Sequence, residues 1–348
     1  MDPKTLLNNG LALHQAGRLD EAEATYRQVL ARVPGQPDAL HFLGLAAHQR
    51  GRHEEALVLM DQALAATPDY PACLSNRGNT LLALGRVDEA IAGFRRALAL
   101  KRDFTDAHRN LGNALLDKGD VDEAVTSYRR ALNLAPNSPE LHYNLGRAYA
   151  AQGRWADAIR SNQRAVALNP GYADAHFNLG NARQLTGDAA GALESFQRVV
   201  ALRPGDAAAL NNLGTQYELT DRPEEALGCY RQALATQPAF AEARNNLGNV
   251  LLMLGRVDEA IAEYRAAIAA KPGWAAAHNN LGNALQAAGA LDEAIACHER
   301  ALAACAQQGQ RRREREREPD SRRTHREASG GRRQLRPRRH ADLRAGRR

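Results

Sequence analysis

The chain has 348 residues, of which 44% are hydrophobic and 25% charged, with a formal net charge of +6 at pH 7. The four cysteines have no CxxC or zinc-like spacing, so neither a disulfide framework nor a zinc site is expected. Residues 1–17 contain no apolar signal core and no run approaches the length of a membrane span, which favours a cytoplasmic location without a membrane partner.

A glycine recurs every 34 residues in nine copies, and an alanine follows each glycine after twelve residues. A fixed period of this length predicts stacked supersecondary units rather than one globular core. We number the places of each unit from its first residue, with units beginning at residues 3, 37, 71, 105, 139, 173, 207, 241 and 275. Glycine then stands at place eight and alanine at place twenty, as Gly10, Gly44, Gly78, Gly112, Gly146, Gly180, Gly214, Gly248 and Gly282, and Ala22, Ala56, Ala90, Ala124, Ala158, Ala192, Ala226, Ala260 and Ala294.

Each unit predicts a first helix, a turn and a second helix, in that order. Leucine precedes the place-eight glycine in seven units, and a second glycine stands at place fifteen in eight units, with Asp221 as the exception. That glycine suits a helix terminus with a positive φ. Acidic residues such as Asp88 and Glu89 then open the second helix, where they complement its dipole. Proline follows the second helix at place 32 in seven units.

The place-eight glycines need a compensating contact, because glycine inside a helix costs about 1 kcal/mol relative to alanine. We expect the two helices of a unit to approach closely there, with the glycine facing the place-twenty alanine. Asn162 and His298 at place 24 predict looser packing in the fifth and ninth units. In the other seven units a large apolar or aromatic residue at this place is expected to fill the remaining space, as Tyr26, Met60, Phe94, Tyr128, Phe196, Tyr230 and Tyr264.

Places two, six, nine and thirteen share one face of the first helix, and this face is rich in asparagine. Asparagine stands at place six in eight of nine units, with Phe42 as the departure, and at place nine in five units. Helix propensity does not explain this choice, whereas a carboxamide can match both the N–H and the C=O of a peptide unit. The predicted peptide-binding residues are Asn76, Asn79, Asn110, Asn113, Asn144, Asn178, Asn181, Asn212, Asn246, Asn249, Asn280 and Asn283.

The dimensions fit an extended peptide ligand. Packed helices lie about 8–10 Å apart and an extended chain advances about 3.3 Å per residue, so one asparagine would meet about every third ligand residue. In the alternative, the asparagines hydrogen-bond between neighbouring first helices and rigidify the stack, and the two roles can coexist. Replacing Asn144, Asn178 and Asn212 by alanine separates them, because the scaffold role predicts a large fall in melting temperature.

The pattern Leu-Gly, Ala, aromatic, Ala and Pro in one unit resembles the tetratricopeptide repeat, over residues 3 to about 305. The resemblance implies an all-α fold, a right-handed superhelical solenoid of nine 34-residue helix-turn-helix units in residues 3–306. It also implies that the first helices line the concave side of the solenoid.

The asparagine pattern, with segments such as Asn110-Leu111-Gly112-Asn113, is similar to the repeat array of O-linked N-acetylglucosamine transferases and their bacterial relatives. In that family a similar asparagine ladder contacts protein substrates and a glycosyltransferase domain follows the repeats. The about forty residues after the ninth unit are too few for such a domain. We therefore expect a non-catalytic protein-interaction scaffold, with a truncated or frameshifted transferase that keeps only its substrate-binding repeats as the alternative.

No catalytic, cofactor or metal site is predicted. The sequence contains no GxSxG elbow, Walker loop or HExxH motif. Histidines recur at place four, but equivalent places should lie about 10 Å apart, too far to share one ion, so packing roles are expected. These histidines are His108, His142, His176 and His278.

Residues 309–348 contain sixteen arginines and six acidic residues, a net charge of +10 that leaves −4 for residues 1–308. This tail has too few apolar residues to fold alone and could bind nucleic acid or an anionic surface. It could equally be a frameshift product, because only four lysines stand against forty-two arginines, as GC-rich coding DNA would produce. The ninth unit also lacks a polar capping helix, which predicts self-association or fraying through the second helix, from Leu291 to Leu302.

Overall fold

The computed structural model describes residues 1–317, and every regular element in that range is an α-helix. The helices alternate between first and second helices of the repeats, so that α1 and α2 form the first repeat. Their bounds are α1 Pro3–Gln15, α2 Leu19–Arg32, α3 Pro37–Gln49, α4 His53–Ala66, α5 Pro71–Ala83, α6 Val87–Leu100, α7 Thr105–Lys118, α8 Val121–Leu134, α9 Pro139–Ala151, α10 Trp155–Leu168, α11 Ala173–Leu185, α12 Ala189–Leu202, α13 Ala207–Leu219, α14 Pro223–Thr236, α15 Ala241–Met253, α16 Val257–Ala270, α17 Ala275–Ala287 and α18 Leu291–Arg317. The predicted all-α helical repeat is therefore confirmed.

The described part of the chain divides into two compact units, residues 1–237 and the described residues from 238 onward. In the first unit each first helix packs against the second helix of its repeat, and that helix packs against the next first helix. Successive first helices from α1 to α11 also contact one another, and the second helices make no comparable contact among themselves. Because first helices approach each other more closely, they lie on the inner side of this stack. In the second unit α15 packs against α16 and α17, and α17 packs against α18.

The turns between the two helices confirm the role expected of the place-fifteen glycine. All eight of these glycines have a positive φ, and Gly119, with φ 93°, ends α7 in the left-handed conformation. Asp221, which stands at this place in the seventh repeat, has a φ of 56°. It is the one non-glycine residue with a positive φ among the residues described, so the turn keeps its geometry when the glycine is replaced.

In eight of the nine repeats the atoms nearest to a Cβ on the place-eight glycine belong to the place-24 side chain and not to the place-twenty alanine, contrary to expectation. In the second repeat the carbonyl oxygen of Ala56 and Cγ of Met60 both lie 3.1 Å from a Cβ on Gly44. A Cβ added to Gly112 would lie 2.6 Å from Cε1 of Tyr128, and one added to Gly180 would lie 2.8 Å from Cε1 of Phe196. The alanines are fully or nearly fully buried beside these contacts. Because the ring lies against the first helix at the place-eight glycine, only a hydrogen atom fits there as a side chain.

The last helix extends beyond the ninth repeat, because α18 continues to Arg317. Leu291, Ile295 and Leu302 on this helix are 59%, 58% and 72% exposed. Self-association through this face stays a prediction. Residues 318–348 lie outside the described residues, so most of the arginine-rich tail has no structural account. No helix described here is both long and apolar enough to cross a membrane.

Candidate peptide-binding face

The asparagine stripe consists of the predicted peptide-binding asparagines at places six and nine, from Asn76 to Asn283. In the first unit it runs along the first helices α5, α7, α9, α11 and α13, on the inner side of the stack. In the second unit it lies on α15 and α17. The carboxamides are reachable by solvent in both units, because every predicted binding residue is half-buried except Asn283, which is exposed.

Part of the stripe ties neighbouring helices together. In the first unit Asn212 Nδ2 donates to Asn181 Oδ1 at 3.1 Å, from α13 to α11. In the second unit Asn280 Nδ2 donates to Asn249 Oδ1 at 3.2 Å and to Asn245 Oδ1 at 3.0 Å, from α17 to α15. The side chain at place six thus meets the one at place nine of the preceding repeat. These bonds are the helix-to-helix contacts that the scaffold alternative predicts.

Buried tyrosines orient other members of the stripe. Tyr128 Oη donates to Asn113 Oδ1 at 2.6 Å, and Tyr264 Oη donates to Asn249 Oδ1 at 2.8 Å. Both rings are at least 99% buried, so these hydroxyl groups are fixed in position. Because each tyrosine engages the oxygen of its asparagine, the amide Nδ2 is directed elsewhere and remains a donor. The pairing of tyrosine at place 24 with asparagine at place nine signals this contact in the sequence.

A chain of hydrogen bonds fixes Asn76 in the third repeat. Asn76 Nδ2 donates to His41 Nε2 at 2.8 Å, and His41 Nδ1 donates to Tyr70 Oη at 2.9 Å. Tyr70 Oη in turn donates to Asp38 Oδ1 at 2.8 Å. Burial lowers the pKa of His41 to about 4, and the nearby Asp38 carboxylate opposes this only in part. His41 is therefore neutral at pH 7, and its Nε2 can accept. The asparagine pattern alone did not predict this chain.

In four of the predicted peptide-binding asparagines the carboxamide forms no hydrogen bond with any residue that the structure describes: Asn79, Asn144, Asn178 and Asn283. Asn144 and Asn178 are the two that lie on neighbouring repeats. Both are half-buried on the inner face of the first unit, on α9 and α11. Their donors and acceptors are therefore available to a ligand.

An open cleft of about 580 Å³ lies along this part of the first unit. It spans three first helices, because its lining includes Tyr143 and Arg147 of α9, Asn178 and Asn181 of α11, and Asn212 of α13. The cleft therefore brings together three of the predicted binding residues. A smaller cleft of about 290 Å³ lies against Asn249, Asn280 and Asn283 of the second unit.

Exposed leucines accompany the asparagines, and the sequence reasoning did not select them. Leu185 and Leu219 stand at place thirteen of successive repeats and are 62% and 65% exposed. Place thirteen belongs to the same helix face as places two, six and nine. Met253 stands at the same place in the eighth repeat and is 59% exposed. A large apolar side chain at such exposure offers contact area to a ligand, and its signal is leucine or methionine where the other six repeats carry alanine, glutamine or aspartate.

The place-four histidines act in packing. Nε2 of His108 donates to the carbonyl of Arg102 at 2.9 Å, and Nε2 of His278 donates to the carbonyl of Pro272 at 2.9 Å. His142 and His176 make the same contact six residues back, and Arg244 makes it with its Nε. In these five repeats the place-four side chain thus holds the loop before the first helix. No cluster of three or more His, Cys, Asp or Glu residues suited to a metal ion occurs among the described residues.

Comparisons with known families agree with this architecture. The "TPR repeat" model matches residues 78–119, 112–153 and 146–187. One "Tetratricopeptide repeat" model matches residues 7–71, 186–227 and 212–275. A second model of the same description matches residues 277–312. A search of curated proteins finds no significant match.

Solved structures of helical repeat proteins are also similar. The C-terminal part of the TPR repeat-containing protein from Cytophaga hutchinsonii has 17% identity and a TM-score of 0.56, over 69% of this chain and 99% of that one. Pseudomonas aeruginosa pilF has 19% identity and a TM-score of 0.54, over 60% and 95%. YrrB, a TPR protein with an unusual peptide-binding site, has 27% identity and a TM-score of 0.48, over 53% and 95%. The first two show the same fold.

Proposed function

We propose, since the chain belongs to the tetratricopeptide repeat family, that this protein-interaction scaffold is non-catalytic and binds an extended polypeptide along the asparagine stripe. One observation carries the proposal: Asn144 and Asn178 present unpaired, solvent-reachable carboxamides on the inner face of the first unit. An unpaired carboxamide on a helix contributes little to folding, whereas it can pair with a peptide unit of a ligand.

The recognition would act on the main chain of the ligand. The carboxamide of Asn178 can accept from a peptide N–H and donate to a peptide C=O at once. Asn181 and Asn212 hold each other in place beside it, so part of the binding face is ordered before the ligand arrives. Pre-ordering of this kind reduces the entropy lost on binding. Leu185 and Leu219 would add apolar contact to the ligand side chains.

The stripe divides its members between two tasks. Asn212 and Asn280 donate to asparagines of the preceding repeat, which stabilises the spacing of the first helices. Asn144 and Asn178 take no part in such bonds. Substitution can therefore separate the helix-to-helix bond of Asn212 from the recognition that we propose for Asn144 and Asn178.

The test replaces Asn144 and Asn178 together by alanine. The probe is a displayed library of random peptides of about twelve residues, long enough to cross about four repeats. Loss of two paired amides at about 1 kcal/mol per hydrogen bond predicts a fall in affinity of about tenfold or more for the enriched peptides, at an unchanged melting temperature. Asn133, exposed on the second helix α8, gives the matched control Asn133→Ala, which should bind normally.

Two results would contradict the proposal. In one, the wild-type protein enriches no peptide from the library. In the other, the double variant binds the enriched peptides as well as Asn133→Ala does. The variant Asn212→Ala completes the set, because loss of its bond to Asn181 should lower the melting temperature.

A second candidate function is supported by the asparagine pattern itself, with its repeated Asn-Leu-Gly-Asn segments. The chain would then be the substrate-binding part of a transferase of the O-linked N-acetylglucosamine type. We expect no sugar transfer from this chain with a nucleotide-sugar donor. Translation of the other reading frames beyond residue 308 tests the candidate, because further repeats or a transferase domain there would support it.

A further inference from the structure

The fifth repeat departs from the others at the contact between its two helices. In the fourth repeat the ring of Tyr128 crosses Gly112, and in the sixth the ring of Phe196 crosses Gly180. In the fifth repeat the same place holds Asn162, whose carboxamide lies over Gly146. The shorter side chain covers the glycine but does not fill the space that the outer part of a ring occupies in the neighbouring repeats.

Asn162 carries an unpaired acceptor. The side chain is 1% exposed, and its Nδ2 donates to the carbonyl of Ala158 at 2.9 Å. Its Oδ1 is buried and has no hydrogen-bond partner among the residues that the structure describes. A buried polar atom without a partner lowers the stability of the fold by about 1–3 kcal/mol, so a hydrogen-bond donor that reached Oδ1 would recover this free energy.

The side chain that carries this acceptor lines the 580 Å³ cleft of the asparagine stripe, and a turn of its carboxamide toward the cleft brings Oδ1 within reach of a ligand. Asn162 and Gly146 belong to the lining of the cleft, together with the aromatic side chains of Tyr143 and Trp155. Leu185, 62% exposed, borders it from α11. Unpaired Asn178 lines the same cleft, so a ligand main chain held there would have a side-chain pocket directly beside it.

We propose that this cleft is a specificity pocket for a tyrosine side chain of the bound polypeptide, which deepens and rests on the proposed function. The phenol ring enters between Tyr143, Trp155 and Leu185. Its hydroxyl group, at the far end of the ring, donates to Oδ1 of Asn162. In other repeats the ring at this position belongs to the second helix. In the fifth repeat the ring of the ligand would occupy the corresponding space, entering it from the groove.

The chemistry of the lining selects against the other side chains. An acidic group would bring a second acceptor to Asn162 Oδ1, and a lysine would bring a second cation to Arg147, which also lines the cleft. Phenylalanine fills the space but leaves the acceptor unpaired. Serine and threonine can donate but are too short to fill the space of a ring. Tryptophan and histidine combine a ring with an N–H donor, but that donor lies on the edge of the ring. Tyrosine combines a six-membered ring with a donor at the far end of the ring axis.

The test uses the full chain and the random peptide library. We expect the wild-type protein to enrich tyrosine at one fixed position of its peptides. Replacing that tyrosine by phenylalanine in a synthetic copy of an enriched peptide should weaken binding about threefold to tenfold, the effect of one hydrogen bond. Replacement by alanine should weaken it further.

Two protein variants close the pocket. Asn162→Phe copies the residue that crosses Gly180 in the next repeat, and Asn162→Met copies Met60 of the second repeat, with a more flexible side chain. Each variant that melts at or above the wild-type temperature should lose the tyrosine preference. Each should still bind peptides that carry alanine at that position.

The outcomes separate the two proposals. In one outcome, peptides are enriched and the double substitution Asn144→Ala with Asn178→Ala weakens their binding, but the Asn162 variants keep the tyrosine preference. The pocket is then refuted and main-chain recognition stands. Enrichment of another residue type at the fixed position would also refute the tyrosine pocket. If the wild-type protein enriches no peptide, both proposals fail. If neither Asn162 variant folds, equal affinity for the tyrosine and phenylalanine peptides refutes the donor contact.

Discussion

The contact between the place-eight glycine and the place-24 ring makes a quantitative prediction for Gly112→Ala. The new Cβ would lie 2.6 Å from Cε1, 2.8 Å from Cδ1 and 2.9 Å from Cζ of Tyr128. The ring cannot withdraw, because it is fully buried and its hydroxyl group is bonded to Asn113. Overpacking of this kind costs about 1–3 kcal/mol, and alanine returns about 1 kcal/mol of helix propensity. We expect a net loss of about 2 kcal/mol.

Two further glycines in the same unit provide matched controls. A Cβ on Gly228, inside α14, meets no atom within 4 Å, so Gly228→Ala should stabilise the protein by about 1 kcal/mol. A Cβ on Gly146 would lie 2.5 Å from Nδ2 of Asn162. That carboxamide can turn into the open cleft at the loss of its bond to Ala158, about 1 kcal/mol, which the gain in propensity offsets. Gly146→Ala should therefore be nearly neutral.

The assay is equilibrium unfolding in denaturant, combined with amide hydrogen exchange. Exchange is needed because repeats unfold as partly independent elements, so one global free energy does not describe them. Exchange should accelerate around α7 and α8 in Gly112→Ala and slow around α14 in Gly228→Ala. Equal stability of the two variants would refute the close contact as the reason for the glycine.

The remaining predictions concern pH and association. Burial holds the pKa of His41 at about 4 in the folded protein against an ordinary value of 6.5, so the unfolded chain takes up a proton first as the pH falls. The free energy of unfolding should therefore decline between pH 6.5 and pH 4 by up to about 3 kcal/mol because of this group. In His41→Phe the decline, measured by urea unfolding, should be smaller. If the variant has the same pH profile as the wild type, the burial of His41 is not its cause. Light scattering should show concentration-dependent association of the wild-type chain, removed by Ile295→Glu with Leu302→Glu and retained in Val58→Glu, a control on an equally exposed residue of α4. A strictly monomeric wild type would contradict the exposed face as an interface.

The helices were predictable from the sequence, and the roles of individual asparagines were not. The 34-residue period and the glycine at place fifteen locate helices and turns because they reflect backbone geometry inside one repeat. Hydrogen bonding across repeats depends on the neighbour instead. Asn178 and Asn212 both stand at place six before Leu-Gly, yet only Asn212 finds an acceptor, Asn181 at place nine of the preceding repeat. The corresponding neighbour of Asn178 is Arg147, which has only donors.

The sequence also indicated loose packing in the fifth repeat without showing its consequence. Asn162 at place 24 is visible in the alignment of the repeats, and the structure places a cleft against it. The cleft lies among the asparagines of the inner face because α9, α11 and α13 all contribute to its lining. A pattern within one repeat cannot contain that relation.

The repeats of this chain serve as internal controls for each other, so a departure in the fifth repeat can be compared directly with the other repeats. Eight of nine repeats fill place 24 with a ring or with methionine, so the backbone accommodates such a side chain. Asn162 gives up that packing and buries an unpaired acceptor, which costs stability, and in return makes one hydrogen bond, to the carbonyl of Ala158. Arg147 departs in the same repeat and lines the same cleft. A residue that lowers stability beside a cleft is expected where binding needs it, because function and stability often conflict at such sites. Asn162→Phe should therefore raise the melting temperature and remove a binding preference together; a variant that melts lower than the wild type would show that the asparagine belongs to the packing of the repeat.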